Sequence, residues 1–497
     1  VTANPPARVS ATEKMPGQVF FIVGNEACER FSYYGVIAIL TLYVTRHLGQ
    51  GDSAGHKISH FFKAGVYFTP LIGAWISDRW LGRYRTILYI SLFYCAGHGV
   101  MAMADLTHSV DSKLTILYTG LTLLAFGGGG IKPCVSAFMG DQFRAATAGA
   151  VQRAYALFYW SINLGSTFAF LAVPQIAAKH GYGWAFGVPG IFMALATVIF
   201  WSGRRRYLHV PPSRNTSGGF WEMLGYALIH QSDRRPGKGF WDACHRKYSE
   251  SDLEGARAAS RVAGVFALIP FFWALYDQSN STWVTQGARM IPYPLPDWLR
   301  WALGWMLGDT LGAEQMQAMN AIQILFLVPF YSYLLFPGLE RLGLRVTTLR
   351  RMSVGLFLTA ASFVWIALLQ HRLDAGEKIS VVWQFWPYFI LSAGEVLVSN
   401  TGLEFAFREA PRKMRSTLMS FWLLTVAAGN LGVAKLVELN VRSRNPDGAE
   451  ILYVSGENQF WLYSGLLALV GIAFVFVAMR YTYRPADEPE GELHAES

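Results

Sequence analysis

The sequence predicts an all-α membrane protein with twelve transmembrane helices in two six-helix bundles. Three observations predict it. Of 497 residues, 53% are hydrophobic and only 15% are charged, with a mean hydropathy of +0.27, whereas a soluble domain is about 25% charged. Apolar runs of about 20 residues, enough to cross a hydrocarbon core, recur along the chain. A single long polar break, residues 204–260, leaves six such runs on each side.

In order, the runs centre on 18–45, 58–79, 85–105, 113–140, 151–177 and 184–202, then 261–284, 314–337, 347–370, 383–407, 413–437 and 458–481. Residues 1–16 contain no apolar core before a cleavage site, so the first run is read as a retained helix after a short tail. Alternate connections carry the arginines and lysines: Arg79, Arg83 and Arg85; Arg144 and Arg153; Arg204, Arg205 and Arg206; Arg341, Arg345, Arg350 and Arg351; Arg408, Arg412, Lys413 and Arg415. The positive-inside rule makes these loops, and both termini, cytoplasmic. The domain expectation follows: a tail 1–16, a bundle 17–203, a linker 204–260, a second bundle 261–483 and an acidic, Pro-containing tail 484–497. Within the linker, 220–229 reads equally as a surface amphipathic helix or as plain linker. Trp298–Leu307 reads as an interfacial helix on the outer side.

Composition also excludes function classes. The net charge is +9, but it is dispersed over short loops, so no nucleic-acid partner is expected. Cys28, Cys95, Cys134 and Cys244 form no C-x-x-C pair; three of them fall in apolar runs and read as buried thiols, with no metal site. No G-x-S-x-G or H-E-x-x-H motif supports an intramembrane hydrolase.

The chemistry is concentrated where charge interrupts the apolar runs. Glu26, Glu29 and Arg30 share one helix face at i, i+3 and i+4. Two carboxylates beside one guanidinium in low dielectric favour holding a shared proton, and a substrate carboxylate competing for Arg30 perturbs it. The structural alternative is a salt bridge locking helices 1 and 4. Lys132 follows a glycine run and precedes Pro133, and its counter-charge candidates are Glu26, Glu29 and Glu395. Glu395 is the main acid of the second bundle and suits a ligand ammonium. Asn163 and Asn320 offer amide groups to a ligand or to a neighbouring helix.

Glu26-Ala-Cys-Glu29-Arg30-Phe-Ser-Tyr-Tyr34-Gly35 resembles the E-x-x-E-R-F-x-Y-Y-G signature of proton-dependent oligopeptide transporters of the major facilitator superfamily. Further similar stretches are Phe126–Phe143 around Lys132, Phe158-Tyr-Trp-Ser-Ile-Asn163-Leu-Gly165, Phe272-Trp-Ala-Leu-Tyr-Asp277, Gln315–Asn320, Ala393-Gly-Glu395 and Phe421–Asn430. Gly73–Arg83 resembles the superfamily's loop motif between helices 2 and 3.

This resemblance implies a proton-coupled importer of di- and tripeptides, and of peptidomimetics, that works by alternating access as a monomer without a cofactor other than the coupling proton. Arg30 and Lys132 receive the peptide carboxylate, Glu395 the amine, and Tyr34, Tyr67, Asn163 and Asn320 the rest. Lys132 pairs with Glu395 when the site is empty. Glu26, Glu29, His60 and Asp277 couple the proton, His60 matching a proton-sensing histidine of animal members. Phe158, Trp283 and Trp422 wall the pocket, and Asp78, Arg79 and Arg83 bias conformation from the cytoplasmic loop. The short 371–382 connection leaves no room for the outer domain of animal members, which implies a compact form in a bacterial inner membrane. The rival expectations are a related nitrate carrier, disfavoured by the two acids, and a peptide receptor without flux.

Overall fold

The computed structural model describes residues 15–143, 148–212, 219–344, 346–409, 415–444 and 450–483. The N-terminal tail to residue 14, Arg144, linker residues 213–218, Arg345, Arg412, Lys413 and the acidic tail lie outside them.

The first half is helical throughout: α1 (Val19–Leu42), α2 (Asp52–Phe68), α3 (Pro70–Ile76), α4 (Gly82–Ala102), α5 (Val110–Asp141), α6 (Ala148–His180) and α7 (Tyr182–Ser202). A short α8 (Phe220–Ile229) lies in the linker. The second half begins with α9 (Glu250–Phe266), α10 (Ile269–Tyr276) and α11 (Thr282–Gly287). Then come α12 (Asp297–Leu307), α13 (Ala313–Met316), α14 (Ala318–Pro329), α15 (Phe336–Arg341) and α16 (Thr348–Asp374). The half closes with α17 (Phe385–Glu395), α18 (Thr401–Glu409), α19 (Arg415–Asn440) and α20 (Glu457–Arg480). Two small hairpins pair β1 (Tyr293–Pro294) with β2 (Thr310–Leu311) around α12, and β3 (Val441–Arg444) with β4 (Glu450–Leu452).

Among the described residues, nine helical segments are long and apolar enough to cross a membrane, or ten when the pair Glu250–Phe266 and Ile269–Gly287, bent by 41°, counts as one. The protein is therefore an all-α multi-pass membrane protein. Its apolar residues form two large cores, one from Val19 to Tyr207 with Ala318, the other from Phe220 to Phe474. The halves meet where α2 packs on α19 and α6 on α14. Polarity is distributed as a bilayer demands: the charged Glu29 is 1% exposed, whereas the aromatic Trp301 is 90% exposed.

Local sequence explains several turns. Gly82 has φ +73°, which lets the chain reverse between the π-turn Ser77–Leu81 and α4. The glycine run of α5 serves close packing: a Cβ on Gly73 would collide with the Gly130 carbonyl, and one on Gly129 with Thr69. Pro270 opens α10, and a 3₁₀ turn at Asp277–Asn280 separates α10 from α11. A π-turn at Val396–Asn400 follows Glu395 directly.

Two boundaries differ from the sequence expectation. The helix expected from 58 begins at Asp52, because His56, Lys57 and Lys63 dilute its hydropathy without breaking it. The helix expected from 261 begins at Glu250, where the Ser249 side chain accepts a hydrogen bond from the Asp252 amide and acids occupy the first turn. The linker is partly ordered. α8 buries Phe220, Met223 and Ala227 in the second core, and Phe220 and Trp221 both pack edge-on against Phe421 at the start of α19. Arg235 clamps the fully buried Asp242 carboxylate through Nε, Nη2 and its amide, holding that carboxyl well below the usual range. α12 presents Trp298, Trp301 and Trp305 on one exposed face, as an interfacial helix requires.

Candidate functional site

Site residues cluster where the two halves face each other. On α1, Arg30 Nε lies 3.0 Å from Glu26 Oε1, and its Nη2 closes on Glu29 Oε2; all three are buried. The cluster is reached closely by α6, since a Cβ on Gly165 would strike the Ala27 carbonyl and lie 3.0 Å from Arg30 Cβ. That contact is why the Asn163-Leu-Gly165 stretch carries glycine. Arg30 therefore has two carboxylate partners.

Lys132 has none. Its ammonium sits 4.3 Å from the Tyr33 ring centroid and 4.1 Å from that of Tyr67, and its buried Nζ makes no hydrogen bond. Aromatic faces partly compensate the charge, but all three N–H donors remain open to an incoming oxygen. The pair with Glu395 implied by resemblance is not formed. Glu395, at the end of α17, instead accepts from Asn320 Nδ2 at 2.7 Å. Asn320 also donates to Ser392 Oγ at 3.0 Å and accepts from the Tyr276 hydroxyl at 3.1 Å. The amide thus acts as an orienting group for the acid.

Asn163 is buried, and its Nδ2 donates to the Tyr159 carbonyl one turn earlier. Tyr34 lies beside Tyr33 and Phe170, with ring centroids 5.0 and 5.4 Å away. Of the expected walls, Phe158 is buried in the first core. Trp422 packs against Phe266 and Trp273 in the second. Trp283 is completely buried in the second core, edge-on to Phe363 and Tyr388.

A second polar cluster lies between α2 and α10–α11. Lys63 Nζ bonds Asp277 Oδ1 at 2.6 Å and Asn280 Oδ1 at 2.7 Å. Asn430 Nδ2 donates to Asp277 Oδ2 at 2.6 Å, and its Oδ1 lies 2.7 Å from His60 Nδ1. His60 Nε2 lies 2.9 Å from Ser281 Oγ. With the Asn430 amide donor committed to Asp277, His60 Nδ1 carries the hydrogen. Neutral His60 then accepts the Ser281 hydroxyl hydrogen at Nε2. Protonated His60 donates to Ser281 instead, and that hydroxyl turns to Gln278 Oε1, 3.1 Å away. Asp277 is thus joined to His60 through Asn430, and its direct cation is Lys63. The network continues through Asn280 to Gln317 Oε1 at 2.8 Å, and Gln317 reaches the Ala38 carbonyl.

Lys63 was missing from the sequence expectation, and so was the bridging role of Asn430. The signal for Lys63 was available: a lysine three residues after His60 and four before Tyr67 on one helix face, inside a membrane-length run. Asn430 had no comparable signal.

At the opposite end, Asp78 and Arg79 sit exposed in the π-turn before α4. Arg83 Nη1 bonds Asp141 Oδ1 at 2.5 Å, tying the start of α4 to the end of α5. Of the loop residues expected to act together, Arg83 is the one with an interhelical acid partner, and that partner is Asp141. Among the described residues, no group of His, Cys, Asp or Glu has the geometry to hold a metal.

Known proteins resemble this arrangement over most of the chain. A profile of the POT family matches residues 84–449. Solute carrier family 15 member 1 of Homo sapiens is 36% identical over 383 residues, covering 72% of this chain and 52% of its own length. Peptide transporter family 1 of Drosophila melanogaster is 37% identical over 370 residues, covering 72% and 48%. The chain spans about half the length of the curated relatives it matches. Among solved structures, the POT family transporter PepTSo superposes with a TM-score of 0.82 at 35% identity, covering 95% of this chain and 100% of that one. An auto-inhibited POT family peptide transporter gives 0.81 at 35% identity, covering 95% and 99%. The chain belongs to the POT family, the proton dependent oligopeptide transporters.

Proposed function

We propose that the protein is a proton-coupled symporter that imports di- and tripeptides by alternating access. The observation that carries this reading is the division of unpaired charge. The first half presents Lys132, with three open donors beside Arg30, and the second half presents Glu395 without a cation. A zwitterionic peptide is the ligand whose two ends satisfy both. Tyr34, Tyr67, Asn163 and Asn320 lie among these charges and supply its polar contacts. Peptidomimetics with the same end charges fit the same requirement.

Twelve spans in two bundles, residues 17–203 and 261–483 joined by the 204–260 linker, are part of the proposal. The continuous helical stretch Asp52–Leu106 is 55 residues long, too long for one crossing, and the reversal at Gly82 divides it. α1 carries three buried charges that lower its hydropathy. The bent pair α9–α11 supplies one further span. The Arg79–Arg85 loop marks the cytoplasmic end, with both termini on that side, in a bacterial inner membrane. The Lys63–Asp277–Asn430–His60 network then closes the halves at the outer end.

In the cycle proposed, peptide carboxylate competes with Glu26 and Glu29 for Arg30, and the displaced acids hold the proton that entered through His60 and Asp277. Proton release inward frees the acids to recapture Arg30, and Lys132 and Glu395 draw together as the halves reset. Dialanine uptake into proteoliposomes, with internal pH recorded, tests this. Accumulation that requires an inward proton gradient and acidifies the lumen is expected. Binding without accumulation overturns it in favour of a receptor, and faster nitrate than dialanine uptake overturns it in favour of an anion carrier.

A further inference from the structure

α2 carries two histidines one turn apart. His60 belongs to the network between the halves, and His56 stands above it. His56 is 8% exposed, and its Nε2 lies 3.2 Å from Thr285 Oγ1 on α11. Thr285 in turn donates to the Thr282 carbonyl at 3.0 Å. Beside His56 lies a cavity of about 150 Å³, lined also by Ser53, Gln286 and Gln370, with Asp52 and Arg289 at its exposed rim. That volume is large enough for several waters, each needing only about 10–15 Å³ of such space, and its lining mixes polar groups with Val437, Leu452 and Phe460. A buried imidazole that borders a water-sized cavity on one side and stands one turn from another buried imidazole is placed as a proton carrier needs to be.

We propose that His56 is the outer proton acceptor of the transporter and passes each proton to His60. The inference rests on the symporter reading above, which sets this end of the molecule outside. Hydronium in the cavity gives its proton to the His56 imidazole and leaves as water. The imidazolium then gives one proton toward His60, roughly 6 Å along the helix face, and the Ser281 hydroxyl, already bonded to His60 Nε2, is the last link: it takes up that proton and passes its own to Nε2. His56 returns to neutral for the next turnover.

The charged surroundings support a cation arriving here. On α2 itself, Asp52 stands one turn before His56, Lys57 follows it and interacts with Glu438 of α19, and Lys63 is held by Asp277. From α11 and the segment after it come Thr285 and Arg289, and Arg289 Nη2 is paired with Asp374 of α16 at 2.9 Å. From the end of α1, Arg46 donates to the Ala288 carbonyl at 2.5 Å. From β4, Glu450 lies close enough to act on Asp52. The basic groups have partners of their own, and the rim carries the acids Asp52 and Glu450 beside Arg46 and Arg289, which also act on Asp52.

The test compares His56→Gln, His56→Ala and His60→Gln in proteoliposomes. Three readings are taken: dialanine counterflow without a gradient, gradient-driven uptake across external pH 5–8, and the effect of external imidazole. With the proposal correct, both His56 variants keep counterflow within about twofold of wild type while gradient-driven uptake falls at least tenfold. Imidazole restores His56→Ala, whose cavity admits it, but not His60→Gln. Wild-type gradient-driven uptake and pH profile in His56→Gln overturn the proposal. So does loss of counterflow in both His56 variants, which would make the residue structural, and so does a His56→Ala variant that imidazole leaves unrestored. If wild-type protein itself shows neither counterflow nor driven uptake, the symporter reading fails instead.

Discussion

The two polar clusters use the same residue types in opposite ways. In the network that joins α2 to α10–α11, every charge is answered: Lys63 by Asp277 and Asn280, Asp277 by Asn430, Asn430 by His60. In the central site, among the described residues, the Lys132 ammonium lies over the Tyr33 and Tyr67 rings without a hydrogen bond, and Glu395 accepts from the Asn320 amide. A buried ion pair is costly to break because removing one partner strands the other. A buried charge without an ionic partner gains by recruiting one. The first cluster therefore holds two surfaces together, and the second leaves charge of both signs without an ionic partner, which is what the proposed function builds on.

Breaking the comparison at its open end has the largest expected effect. Lys132→Ala removes a charge that makes no direct ion pair among the described residues, so thermal stability in detergent is expected to stay at or above wild type. Under the proposed function it also removes the ammonium that takes the peptide carboxylate, and the expected cost is about 3 kcal/mol or roughly 100-fold in gradient-driven dialanine uptake. Retained uptake would place the carboxylate elsewhere.

The closed cluster predicts the reverse pattern in stability. Asp277→Asn strands Lys63 and should destabilise this closed arrangement by about 3–5 kcal/mol, whereas Lys63→Met with Asp277→Asn should recover most of it. Thermal unfolding of both variants and of Lys63→Met alone completes the cycle, and additive losses would mean that the pair is not coupled. Gly73→Ala comes next. Its Cβ meets the Gly130 carbonyl, a backbone atom that cannot rotate away, so a loss of about 1–3 kcal/mol is expected; an unchanged melting temperature would deny the tight α3–α5 seam.

The smallest effect belongs to the linker. Asp242 has its carboxyl held low by Arg235, so the stabilisation is fully present above the unfolded carboxylate value near 4 and is lost only as pH falls through the lower folded value. Hydrogen-exchange protection of 235–245 attributable to this clamp should therefore stay constant from pH 7 to pH 5. Arg235→Ala should raise exchange there modestly at every pH in that window, since the Arg235 amide still bonds Asp242. Protection that fades already at pH 5.5 would show that the clamp does not control it.

Much of this was legible in the chain. Glu26, Glu29 and Arg30 announce themselves because three charges at helical spacing inside an apolar run have few explanations, and the structure brings them together. Lys132 and Glu395 were legible as isolated intramembrane charges. Their present separation was not, because sequence periodicity carries no information on the distance between charges on different helices. Asp277 was singled out, but its cation lies 214 residues away on α2, and periodicity reports only local neighbours. Trp283 lies between Phe363 and Tyr388, rings far away in sequence, and periodicity does not report such neighbours either. The early starts of α2 and α9 were hidden because polar residues satisfied by tertiary partners look, in a hydropathy profile, like loop.

The glycine contacts between α3 and α5 carry a mechanical consequence. Where Gly73 meets Gly130 and Gly129 meets Thr69, almost no side-chain layer lies between the helices, so this seam has little that can compress or slide. Those helices should move as one stiff plate. Compliance is left to the surfaces where the halves touch through long side chains such as Lys63, Gln317 and Arg46, which can exchange partners without either core being remade. The sequence has thus divided its material into rigid parts and joints, with glycine marking the former.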